Sequence, residues 1–344
     1  MPGAYGGVWP LAITTGGPGL VAVGRATPCC ADASYDDEAW ETAIWTSRDA
    51  HNWDLVPNLE SFGKSGLNSV ATDASGTMVA VGYDVLPPSD EEPVDQFRMA
   101  GSVWRSTNGI DWIRMEDFKA DALRDVVSTP RGWVVGGSVD GHPALFTTSD
   151  GLTWMTHRFD GMGAIEDLAV SDDGTTVATG CIAPEDGAIC DSKAYASNDD
   201  STWTEANAAM VFVGDVVWWQ DEFVAVGSND EGTAVQLWTS PDGIDWTARS
   251  EVLRSVAARI DVLVPDGDRL IGAGYRLGGD PATGRPSIWV SADIVVWEPL
   301  AQLTDPEGGS SGQVSAVHVA EGDIVVMGTA FSETGNPYLW VGDR

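Results

Sequence analysis

Four carboxylates recur at one place in a repeated stretch of this chain. They are Asp125 in "LRDV", Asp167 in "IEDL", Asp215 in "VGDV" and Asp261 in "RIDV", with Ser69 in the matching place of an earlier copy. Gathered around one axis, four such groups repel one another unless they are neutralised. Two roles are therefore open. The ring holds a hard cation such as Ca²⁺, or each carboxylate caps backbone N–H groups of its neighbour and ties one repeat to the next. The second role is favoured, because a repeated residue usually serves the repeat.

A second polar set recurs with tighter spacing. "WTSRDAHNW" from Trp45, "WRSTNGIDW" from Trp104, "FTTSDGLTW" from Phe146, "YASNDDSTW" from Tyr195, "WTSPDGIDW" from Trp238 and "WVSADIVVW" from Trp289 each set an aromatic eight residues ahead of a Trp. The central Asp49, Asn108, Asp150, Asp199, Asp242 and Asp293 are of a type that accepts backbone N–H groups inside a tight turn, with the Trp packed beneath. This chemistry is structural rather than catalytic.

Such sets need a scaffold that repeats. A β-branched run closed by Gly, as in "VAVG" at 21, 79 and 224, occurs seven times at intervals of 43 to 58 residues. Each unit reads strand, turn, strand, variable loop, strand, polar turn, then a strand opened by Trp. Helical apolar stripes are absent. Four short strands in each of seven units predict an all-β fold, a seven-bladed β-propeller with four-stranded antiparallel blades, spanning residues 1–344 as a single domain. The seventh unit stops after its third strand, at "WVGDR" from Trp340, so closure needs a strand from elsewhere. Either residues 2 to 8 pair as the outer strand of the last blade, or sequence upstream in a natural precursor supplies it.

The polar turn resembles the Asp-box of the sialidase-like (BNR) propellers. The full pattern stands at Thr148, Asp150, Gly151 and Trp154, and again at Ser240, Asp242, Gly243 and Trp246. Elsewhere Asn108 replaces the Asp, Asp200 replaces the Gly and Ile294 takes the Gly position. The resemblance covers nearly the whole chain. It implies that these turns join third and fourth strands on the face opposite the ligand site. Ligands are then expected on the other face, among the loops from second to third strand and from each fourth strand to the next blade.

On that face the loops "RATPCCADASYDDEAWETA", "YDVLPPSDEEPVDQFRMA" and "YRLGGDPATGRPS" are long. Trp40 in the first is the candidate stacking surface for a sugar or partner, with packing beneath its own loop as the alternative. Among the remaining tryptophans, Trp133 is expected in the core, and Trp218 and Trp219 near the face of the polar turns. Sialidases of the family hold a substrate carboxylate with three arginines, the first in a Phe/Tyr-Arg-Ile-Pro motif, and use a Tyr–Glu nucleophile and an Asp acid/base. Here the opening reads "VWPLAITT" instead. Arg25, Arg124, Arg259 and Arg276 are candidates for the same rim, as are Tyr83 and Tyr275, which follow the Gly of their second strands. No spacing singles out a triad.

Composition narrows the classes further. There are 52 acidic residues against 18 basic ones, and the net charge of −34 argues against nucleic acid and anionic membranes as partners. The run "MVFVGDVVWW" is far short of a membrane span. His51, His142, His157 and His318 are scattered, which argues against a zinc centre. Cys181 and Cys190 flank one loop and are expected to form a disulfide, which favours an oxidising compartment, whereas adjacent Cys29 and Cys30 pair with each other or stay as thiols. No signal peptide is visible. The combined expectation is an extracellular or envelope monomer, a recognition module for a glycan or protein, with a divergent sialidase-like exo-glycosidase as the alternative.

Overall fold

The computed structural model describes residues 5–28, 40–57, 59–86, 98–115, 119–183, 191–207, 210, 213–228, 234–249, 258–278, 280–303, 312–320, 322–330 and 337–343. Its strands pair into seven sheets of consecutive antiparallel neighbours, the expected propeller. Six blades have four strands. The seventh has three among the described residues, Gly312–Ala320, Asp323–Ala330 and Pro337–Asp343.

The second strand of each blade explains the "VAVG" recurrence. Sandwiched between neighbouring blades, it buries both faces and so reads as a continuous apolar run; Val21, Ala22 and Val23 are fully buried. The closing Gly is required by a close approach. A Cβ on Gly24, Gly82, Gly180 or Gly274 would lie 2.0, 1.9, 2.3 and 2.1 Å from a carbonyl oxygen of the adjacent inner strand. That approach has a cause, because the inner strand carries a β-bulge opposite this Gly in most blades. The ladder skips a residue between Pro10 and Ala12, Leu67 and Ser69, Ile165 and Asp167, Ile260 and Val262, and Val314 and Ala316. The bulge pushes the inner strand onto the second strand and turns its side chains.

Residues 5 to 8 do not pair with the last blade. Tyr5–Gly16 is the inner strand of blade 1, with Tyr5 opposite Pro28 and Val8 opposite Ala26; residues 2 to 4 lie outside the described residues. Without this strand the inner edge of Gly19–Pro28 would be left bare. Closure instead comes from face packing. Val8, Leu20 and Ala22 of blade 1 share an apolar cluster with Ala316, Val325 and Met327 of blade 7. Equivalent clusters join the other blades, and Trp45, Trp104 and Phe146 at the repeat position of the third strands are 1–2 % exposed. Each such side chain contributes about 2–3 kcal/mol by burial. Trp133 and Trp219 are buried as well, and Trp218 is half-buried against Phe223. No helix among the described residues is long and apolar enough to cross a membrane.

Candidate functional site

The six polar turns share one geometry. In each, one side-chain oxygen accepts two successive amides: His51 and Asn52 on Asp49, Ile110 and Asp111 on Asn108, Leu152 and Thr153 on Asp150, all at 2.8–3.0 Å. Asp199, Asp242 and Asp293 repeat it. These bonds favour the charged form. Hydrogen bonds from Asn52 hold Asp49 at about 2, and the Thr153 and Leu152 amides hold Asp150 at about 2. The residue after each acceptor has positive φ, which is strained at Asp200 (56°) and Ile294 (57°). At Asp200 the strain is offset, because its carboxylate receives Thr129 Oγ1, Thr176 Oγ1 and the Arg131 guanidinium at 2.8–3.1 Å. That side chain ties blade 3 to blade 4.

Near the other end of the inner strands, the repeated carboxyls form a string along one wall of the channel. Ser69 Oγ donates to Asp125 Oδ1 at 2.6 Å. The amides of Leu168, Val216 and Leu263 donate to Asp125, Asp167 and Asp215 at 3.0, 2.6 and 2.5 Å, each from the next blade. An inner strand exposes unpaired edge N–H groups to the channel, and each Asp caps one of its neighbour's. Neighbouring carboxyls in the string also act on one another, Asp167 disfavouring the charge of Asp125 and Asp215 that of Asp167. Burial and the neighbouring carboxyl push Asp125 and Asp167 well up, and burial pushes Asp215 up to about 6.

Asp261 does not belong to this string. Val262, opposite Ala273, is the residue in register with Asp125 and Asp167, and Asp261 occupies the bulge one place earlier. The motif letters match while the register does not, because Asp261 holds the bulge place that Arg124 and Glu166 fill in blades 3 and 4. Asp261 instead takes Arg259 Nε at 2.5 Å on Oδ1. Its other oxygen is buried without a hydrogen-bond partner, and burial raises its pKa. Among the described residues no group of three or more His, Cys, Asp or Glu is arranged to hold a metal ion. Asp125, Asp167 and Asp215 each accept an amide of the next blade, the geometry of the blade-tying role, whereas Asp261 does not.

The rim above the string gathers other predicted residues in pairs. The Arg25 guanidinium lies 3.3 Å from the centre of the Trp40 ring and donates to Tyr83 Oη at 3.1 Å. Trp9 stacks on Trp40 at 5.3 Å with planes 5° apart. Trp40 is half-buried and Tyr83 buried, so Trp40 is held by ring and guanidinium rather than standing free. Trp9 escapes a sequence reading that misses the first inner strand, where it sits directly opposite Arg25. Arg124 pairs with Glu166 at 3.4 Å, and Arg259 lies 5.9 Å from the Tyr275 ring. Burial raises the pKa of Glu166 against the pull of Arg124. Arg276 is exposed. Arg25, Arg124 and Arg259 thus each lie against a different partner.

Of the long loops, 29–39 and 87–97 lie outside the described residues, as do Cys29, Cys30 and Cys190. The third is not a loop: Arg269–Gly278 and Asp280–Ser291 continue as paired strands, Gly278 opposite Asp280. Cys181 is disulfide-bonded.

No family model and no curated protein matches this chain. Solved structures do resemble it. The Hadza microbial sialidase Hz136 aligns over 99% of this chain and 66% of its own at 13% identity, with a TM-score of 0.53. The chain thus spans just under two thirds of that sialidase. The GH93 α-L-arabinofuranosidase of Fusarium graminearum aligns over 84% of this chain and 95% of its own at 14% identity, with a TM-score of 0.49. At 13% identity the first likeness speaks to the fold alone.

Proposed function

We propose that this propeller is a recognition module of the extracellular space or cell envelope that takes a glycan or protein on its loop face. The observation that carries the reading is the Trp9, Trp40, Arg25 and Tyr83 group. It is a pre-stacked aromatic and guanidinium cluster at the rim, the residue types that anchor recognition surfaces at low entropic cost. The Cys181 disulfide supports an oxidising compartment. The channel carboxyls are spent on neighbouring amides, which leaves the rim rather than the channel wall to meet a ligand.

A glycan array with the purified chain tests this. Binding to a defined glycan class that drops at least about tenfold in Trp40→Ala supports the reading; binding unchanged by that substitution removes the cluster from it. The runner-up, a divergent glycoside hydrolase, rests on Glu166 and Asp261. Both are rim carboxyls with raised pKa, the property of a general acid. Each is also paired to an arginine, which opposes that use.

A further inference from the structure

Six blades repeat one arrangement at the outer edge, and the seventh departs from it. In blades 1 to 6 a fourth strand lies along the third, and the aromatic of the third always faces the second residue after the Trp that closes the turn. Those aromatics are 1–4% exposed. In blade 7 no strand among the described residues pairs with the outer side of Pro337–Asp343. Its Leu339, Trp340, Val341 and Gly342 are half-buried instead.

The register of the other blades shows which groups this leaves over. The carbonyl oxygens of Ile44, Val103, Ala194 and Leu237, each one residue before the aromatic, accept an amide from beyond the closing Trp at 2.8–2.9 Å. The matching residue of blade 7 is Leu339, and strand alternation adds Val341, so the N–H and C=O groups of both face outward with no described strand opposite. Natural sheets blunt a bare edge with Lys, Pro or shortness. Pro337–Asp343 runs seven residues with no Lys and with Pro only at its first place. The Trp340 ring leans over Gly342, where the other blades carry Ser or Thr.

The six complete blades also show what the added strand must carry. Trp53 and Trp112 open their strands by packing toward the preceding blade, and three residues on Val56 and Met115 pack toward the following one. This chain has no such strand to spare. All 16 of its tryptophans lie among the described residues, and the six that open fourth strands are paired within their own blades. A second copy has none free for the same reason, and at a net charge of −34 it is repelled. We infer that the outer edge of blade 7 receives an extended, Trp-opened strand of a partner protein, which completes the blade by strand addition on the circumference of the ring, apart from the loop face.

The test is hydrogen exchange of the full chain with a synthetic peptide of blade 1's own sequence Asn52–Val56, "NWDLV", capped at both ends. One control peptide carries Trp53→Ala. The other is N-methylated at its Asp and final Val amides, the pair that faces the third strand in blade 1. Without peptide, the Leu339 and Val341 amides should exchange at least about tenfold faster than those of Ile44 and Thr46, their counterparts in blade 1. At about 1 mM peptide their exchange should slow about threefold, the factor for a Kd near 0.5 mM. The Trp53→Ala peptide should protect them less, and the N-methylated peptide not at all. Slow exchange of Leu339 and Val341 before any peptide is added overturns the inference, since the edge is then already covered. So does an absence of protection by the parent peptide, or equal protection by either control. Self-association in sedimentation that protects the same two amides would overturn it too, by making a second copy the occupant.

Discussion

Replacing Asp215 by Asn should make the protein more stable at neutral pH, although it deletes a residue that bridges two blades. The Leu263 amide now given to Asp215 Oδ2 can be accepted by the Asn carbonyl oxygen, so the tie is kept and only the charge is lost. Burial raises Asp215 from 3.8 to about 6, and it faces the Asp167 carboxyl directly with Asp125 beyond. A raised folded-state pKa gives a contribution fully present below the unfolded value and lost as pH climbs through about 6. Two units at 1.36 kcal/mol each come to about 3 kcal/mol, and residual exposure to the channel trims this to about 2 kcal/mol. The turn carboxylates have the opposite sign, stabilising above their unfolded pKa and losing that stability as pH falls toward 2, but they are common to both proteins and cancel. Urea unfolding of wild type and Asp215→Asn at pH 3.5, 5 and 7.5 should therefore show no difference at the lowest pH. By the highest, the variant should lead by about 2 kcal/mol, or roughly 3 °C in Tm for a chain of 344 residues. A variant equal to or weaker than wild type at pH 7.5 would refute the reasoning, because the carboxyl would then not be paying a burial cost.

Three further outcomes are expected. Asp200→Gly restores the residue the turn geometry prefers yet should destabilise by about 1–3 kcal/mol in urea, since it strands the Arg131 guanidinium and two threonine hydroxyls. Gly82→Ala should give little folded protein, its Cβ landing 1.9 Å from the Gly66 carbonyl oxygen, whereas Gly214→Ala, with no atom nearer than 3.8 Å, should express and melt like wild type by circular dichroism. Thiol titration of the denatured, unreduced chain should count at most two free thiols of the four cysteines, because Cys181 is already bonded.

The propeller was legible in the sequence because its recurring letters answer to local necessity. Gly24, Gly82, Gly180 and Gly274 are where a bulged strand presses on its neighbour, and the aromatic and Trp of each turn sit eight residues apart because one hairpin fixes both. What stayed hidden depends on register and on contacts far apart in the chain. Asp261 looks like Asp125 in letters but is shifted by one bulge residue. The acceptor and donor of each channel tie lie 43 to 49 residues apart, with no local pattern to link them. Trp9 and Arg25 meet only once Tyr5–Gly16 is recognised as an inner strand, and "VWPLAITT" lacks the Asp that marks that strand elsewhere.

The central claim is that the loop face recognises its ligand without cleaving it. Turnover of a panel of fluorogenic glycosides, sialosides included, by the purified chain with and without Ca²⁺ tests it most directly. The account predicts no release of fluorophore from any member under either condition. Cleavage of one of them, abolished by Glu166→Gln or Asp261→Asn, would contradict it and make the rim carboxyls catalytic.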